Sequence, residues 1–123
     1  GMDRICMFLN DIKTIFDIPW NDELTYGDVR RREEVEHSIY SFREADVSLF
    51  RTSFESWERE AVRLVEVPLV LPADEAVLKC SHLFNVLDAR GAISVTERAA
   101  FIQRIRKLAC AVAEAHLARG VKA

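Results

Sequence analysis

Few of the usual marks of a dedicated chemistry occur in these 123 residues. Cys6, Cys80 and Cys110 are odd in number, far apart and without a CxxC spacing. That pattern argues against a disulfide framework and a zinc site, and for buried, reduced thiols in a cytoplasmic protein. No run of about eighteen apolar residues occurs, so neither a transmembrane helix nor a membrane partner is expected. The charged start and apolar stretch of a signal peptide are missing from the N-terminus. Internal repeats and low-complexity segments are absent. So are GxGxxG, the P-loop and GxSxG, which removes the common phosphate cradles and the serine nucleophile elbow. Carboxylates are plentiful, but they fall beside Lys and Arg on helical patterns, and no spacing singles out an acid–base pair.

What is present is a chain half apolar, enough for one compact core. The net charge of −3 hides a split. Residues 1–75 hold 9 Lys+Arg against 17 Asp+Glu, whereas residues 76–123 hold 8 against 3. Such a split fits a charged partner for one end, or two halves that face each other or solvent. His37 follows Glu33, Glu34 and Glu36 on a predicted helix, a grouping that imitates a metal site. It reads as a solvated face, and no metal is expected.

The apolar spacing predicts an all-α fold with about four main helices. Ile5, Phe8, Leu9 and Ile12 share one face of a short first helix. "TIFDIPW" is β-branched and ends at a proline, so it reads as an extended linker. Asp28, after the turn signal "TYG", is the expected cap of the next helix. On that helix Glu33 and His37, or Arg30 and Glu34, are four apart and suited to pairing. Asp46 opens a helix whose stripe is Val47, Phe50, Phe54, Trp57, Ala61 and Leu64. Pro72 suits the first turn of the following helix, which buries Ala76, Val77, Cys80, Leu83, Phe84 and Leu87. Ala99, Ile102, Ile105, Ala109 and Val112 form the last stripe. The expected core centres on Phe50, Phe54, Trp57, Leu83, Phe84, Ile102 and Ile105.

Residues 85–98, "NVLDARGAISVTER", join the last two helices. Gly91 suits the left-handed conformation that closes a helix. Ser94 and Glu97 have capping-box spacing. Asp88, Arg90 and Arg98 are not needed for capping. Arg98 falls in a first turn, where the helix dipole disfavours a cation, so it needs a partner, and Asp88 is nearest in sequence. The expectation is an internal network of Asp88, Arg90, Ser94, Glu97 and Arg98 that fixes the angle between the two helices. Arg104, Arg106 and Lys107 are expected to face outward, to a protein partner or to nucleic-acid phosphates.

The same residues carry a resemblance. "FNVLDARGAISVTER" resembles a stretch of the alpha subunit of bacterial-type glycyl-tRNA synthetase that runs approximately FNLLDAR-x-AISVTER. "TYGDV" at 25–29, "EVE" and Ser38 at 34–38, Tyr40, Phe42, "AD" at 45–46, His82 and "AVAEA" at 111–115 match in order and spacing. The likeness runs from Met2 to about Leu117. It implies the helical C-terminal part of a class II aminoacyl-tRNA synthetase subunit. The complete enzyme uses ATP with Mg2+ to activate glycine and then charges tRNA(Gly). A beta subunit and a second alpha subunit are the implied partners, in the cytoplasm.

"MDR" at 2–4 resembles the "LER" of the third class II motif, with Asp3 where glutamate is usual. The resemblance therefore places Arg4 at the ATP site. The implied layout is a motif-3 remnant at 1–12, a linker at 13–27, a helical domain at 28–119 and a frayed tail at 120–123. The sheet and the first two motifs have no counterpart here, so this chain by itself is expected to be inactive and to need no cofactor. Two other readings stay open. One is a stand-alone helical protein-interaction module derived from the synthetase. The other is a nucleic-acid binder using "RIRK" at 104–107, a reading that the overall acidity weakens.

Overall fold

The computed structural model describes residues 1–120. It is all-α: helices α1 (Met2–Leu9), α2 (Tyr26–Ile39), α3 (Val47–Glu66), α4 (Val70–Ala89) and α5 (Val95–Ala118) follow in order. Two packing units divide the chain between Arg43 and Glu44. The helical domain expected from Asp28 onward is thus cut within its first part, with α2 belonging to the first unit. Of the expected frayed tail, residues 121–123 lie outside the described residues.

In the first unit, the segment at 13–27 folds back on itself instead of running as an extended linker. A 3-10 turn forms at Ile15–Asp17. Ile18 (φ −59°, ψ 125°) is extended, as the proline after it requires. Asn21 Oδ1 then accepts from the amides of Glu23 and Leu24, at 3.0 and 2.8 Å. That side-chain turn lets the Trp20 amide donate to the Leu24 carbonyl and the Tyr26 amide to the Ile18 carbonyl. The β-branched run suggested extension because these turn-making contacts come from Asn21, outside the run.

Helix α2 starts earlier than the acidic residue suggested. Thr25 is the N-cap, and Asp28 is the third residue of a capping box. The Thr25 amide donates to Asp28 Oδ2 at 2.8 Å, and the Asp28 amide to Thr25 Oγ1 at 3.2 Å. The bond from the Thr25 backbone holds the Asp28 carboxyl below its ordinary range. The surface pairs on α2 are Arg30–Glu33 and Arg32–Glu36, in place of the two expected pairings. Gly27 is pressed against the 3-10 turn: a Cβ there would sit 2.8 Å from the Phe16 carbonyl oxygen.

The second unit holds the core. From α3 it buries Phe50, Phe54, Ala61 and Leu64; from α4, Val70, Ala73, Ala76, Val77, Cys80, Phe84, Val86 and Leu87. Asp46 caps α3 through the Leu49 amide, and Pro72 lies in the first turn of α4. Phe101, Leu108 and Val112 complete the core from α5. That stripe is rotated from the expected one. Ile102 is 47% exposed while Phe101 is 7% exposed. Trp57, Leu83 and Ile105 pack at the margin of the core and are not fully buried. Phe101 meets Phe54 edge to face at 4.7 Å, a geometry that aromatic quadrupoles favour.

The thiols divide three ways, so the expectation of uniform burial holds only for Cys80; Cys110 is exposed and Cys6 intermediate. All three are free. Burial pushes the Cys80 thiol up to about 11, which leaves it un-ionised and unreactive at neutral pH.

Candidate functional site

The join between α4 and α5 is built from the backbone outward. Gly91 takes φ +63°. Its amide donates to the Asp88 carbonyl at 2.9 Å, and the Ala92 amide to the Leu87 carbonyl at 3.0 Å. This pair of bonds is a Schellman closure, and it satisfies carbonyls that α4 would otherwise leave open. Three residues on, Ser94 starts α5. Its amide donates to Glu97 Oε2 at 2.9 Å, and the Glu97 amide donates to Ser94 Oγ at 3.2 Å. Ser94→Ala is expected to lower stability by about 1 kcal/mol, read as a shifted urea midpoint with an unchanged slope.

Side chains then tie the join down. Arg98 Nε lies 3.3 Å from Asp88 Oδ2, across the two helix ends. Arg90 Nε donates to the Ala45 carbonyl at 3.0 Å, just ahead of α3. Arg51, on α3, was not singled out by the sequence. Its Nη2 donates to the Ala92 carbonyl at 2.7 Å and to Glu97 Oε1 at 3.2 Å. The Ser94 amide, and then Arg51, hold the Glu97 carboxyl below its ordinary range. Arg51 could not be found from spacing, because both its contacts are more than forty residues away.

Arg104 is where expectation and structure part. It points inward, not out. Its Nε donates to Glu58 Oε1 at 2.9 Å, and Nη2 bonds Oε2 of the same carboxylate. Its guanidinium also lies 4.7 Å from the Phe54 ring and 5.2 Å from the Phe101 ring. The Arg104 bond holds the Glu58 carboxyl below its ordinary range, and the arginine is pushed up in return. Arg106 and Lys107, by contrast, are exposed. The reason is rotational: with Phe101 and Leu108 facing the core, position 104 falls on the α3 side of α5 and position 106 falls on the far side, while Lys107 borders the α3 side beside Glu58 and Val62 and stays exposed.

Arg4 stands on α1 and is exposed. Neither a hydrogen bond nor an ion pair engages its side chain among the described residues. The same helix leaves Met2, Ile5, Phe8 and Leu9 exposed, at 79%, 56%, 84% and 75%. So the apolar face read from the sequence exists but is uncovered. Chemically, the described residues offer one unengaged guanidinium on α1 and a set of arginines spent on holding helices together. No group of three or more potential metal ligands occurs among them, and no buried side-chain nitrogen or oxygen lacks a partner. No helix of the described residues is long and apolar enough to cross a membrane.

Comparison with known proteins gives a consistent picture. A family model described as glycyl-tRNA synthetase alpha subunit matches residues 1–120. A glycine–tRNA ligase alpha subunit from Coprothermobacter proteolyticus is 47% identical over 114 residues. The match takes in 93% of this chain but 39% of that protein, so the chain spans about two-fifths of the relative's length.

Proposed function

Since the chain belongs to the glycyl-tRNA synthetase alpha subunit family, we propose that it serves as the helical part of a glycine–tRNA ligase alpha subunit. The complete enzyme, in this reading, activates glycine with ATP and Mg2+ and charges tRNA(Gly). It does so in the cytoplasm, with a beta subunit and a second alpha subunit. The observation that carries the proposal is α1. An eight-residue helix with four large apolar side chains in solvent is costly unless something covers them. Arg4 on that helix supports a role beside ATP, because a guanidinium stays charged and can lie flat on a base or pair with phosphate.

One arginine does not make an ATP site. The described residues supply no group of three or more potential metal ligands. Holding ATP and glycine in attack geometry therefore falls to parts of the subunit outside this chain, and the chain alone is inactive in this reading. The outward cations Arg106 and Lys107, without Arg104, are the proposed contact to tRNA or the beta subunit. Arg4→Ala in the complete subunit should raise the KM for ATP at least tenfold in glycine-dependent ATP–pyrophosphate exchange. An unchanged ATP dependence would remove Arg4 from the site.

A further inference from the structure

Among the described residues, one element packs against α1, and it is the 3-10 turn at Ile15–Asp17. The same turn lies against α2. Cys6 and Met7 are half-buried while the rest of α1 is exposed, so they mark the side on which that helix rests. Arg4 stands three residues before Met7, and side chains at that spacing are neighbours on a helix. The connection from α1 to the turn has little slack. The Ile12 amide donates to the Met7 carbonyl at 3.0 Å, Asp11 takes φ 49°, and the Phe16 amide donates to Thr14 Oγ1 at 3.4 Å. On the α2 side, the Phe16 ring meets the Tyr26 ring at 6.4 Å and the Arg31 guanidinium at 5.5 Å. Gly27 lies in the first turn of α2, where alanine is intrinsically the better helix former. Its φ is not positive, so conformation does not call for glycine. Space does: a Cβ would sit 2.8 Å from the Phe16 carbonyl oxygen and 3.1 Å from the Phe16 Cβ.

We propose that Gly27 is a positioning residue for Arg4: by admitting the 3-10 turn against α2, it sets where α1 and its guanidinium stand. The inference rests on the reading of Arg4 as an ATP contact. A side chain at position 27 meets the backbone of Phe16, which cannot swing aside as the tip of a long side chain could. The turn must then move off α2, and α1 rests on the turn. Among the described residues no other element packs against α1 to hold it back. A helix moves as a rigid rod over so short a distance, so a displacement at Met7 reaches Arg4, less than one turn away. Contacts from a guanidinium to a base or a phosphate are directional, and a misplacement of about 1 Å is enough to weaken them.

The test is ATP–pyrophosphate exchange by the complete alpha subunit carrying these residues, with ATP and glycine varied in turn. Gly27→Ala should raise the KM for ATP by about three- to tenfold and leave kcat and the KM for glycine within about twofold. A substitution that merely unfolds part of the protein would lower kcat and leave both KM values alone, so the two effects separate. In an Arg4→Ala background, Gly27→Ala should add nothing to the KM for ATP, because both changes act through one guanidinium. Phe16→Ala keeps the Cβ and removes the ring that meets Tyr26 and Arg31. It should loosen the turn and raise the KM for ATP in the same Arg4-dependent way, and it carries the test if Gly27→Ala does not fold. An unchanged KM for ATP in folded Gly27→Ala, where Arg4→Ala raises it, would overturn the positioning role and leave the ATP contact standing. Effects of Gly27→Ala and Arg4→Ala that multiply would do the same. Unchanged ATP dependence in Arg4→Ala itself would remove the contact, and its positioning by Gly27 with it.

Discussion

Phe54→Ala should cost the second packing unit about 3–5 kcal/mol, the range for truncating a large buried aromatic. Phe54 is fully buried and is the largest such side chain in the core. Its ring is where three helices meet: it belongs to α3, takes the edge-to-face contact of Phe101 from α5, and lies under the Arg104 guanidinium. The Cys80 thiol of α4 sits 3.9 Å from its backbone carbonyl. Alanine would leave a cavity that rigid helices cannot close. Since a whole domain is stable by roughly 5–15 kcal/mol, the variant should be substantially unfolded at modest urea. A companion reading is Cys80, which should become accessible to thiol reagents as the fold opens. A midpoint loss equivalent to less than about 1 kcal/mol would contradict the packing described.

Arg104→Ala should lower stability by about 2 kcal/mol, the combined effect of one ion pair, two aromatic contacts and the packed stem. Arg104→Lys should recover part of this, because lysine keeps the charge but loses the planar fork that grips both oxygens of Glu58. The pH dependence follows from Glu58. Its folded carboxyl is held below the ordinary value of 4.5 by Arg104. A depressed carboxyl contributes stability above its unfolded value, and that contribution is lost as pH falls through the folded value. The gap between the native chain and Arg104→Ala should therefore be full at neutral pH and narrow in acid below 4.5. Arg106→Ala and Lys107→Ala, at two exposed positions, should change stability by less than about 0.5 kcal/mol. Equal losses at all three positions would return Arg104 to the surface group.

The helices were legible where bulky residues and caps coincide. Phe50, Phe54 and Leu64 at helical spacing after Asp46 leave α3 one way to face. Gly91, Ser94 and Glu97 fix the α4–α5 join because each meets a backbone demand local to it. Helix α5 was harder. Alanines at 99, 100, 109, 111, 113 and 115 make it apolar on several sides, so spacing alone favoured Ile102 over Phe101 by one position. Arg104 was grouped with Arg106 and Lys107 as part of the cation cluster at 104–107, and its partner Glu58 lies 46 residues away on α3, beyond the reach of local spacing. Capping logic found Asp88 for Arg98, a contact within ten residues. It had no means of finding Arg51, whose partners arrive only when α3 packs beside the join. Arg4 rests on the family likeness, because among the described residues no hydrogen bond or ion pair engages its side chain.

Glycine-dependent ATP–pyrophosphate exchange, measured on the purified 123-residue chain beside a complete alpha subunit carrying the same residues, is the most direct test of the functional account. The account assigns this chain a helical scaffold and one ATP contact, and leaves the positioning of both reactants to the rest of the subunit. It predicts exchange by the complete subunit and none above background by the chain, while circular dichroism shows the chain folded and helical. Exchange by the folded chain alone would contradict it.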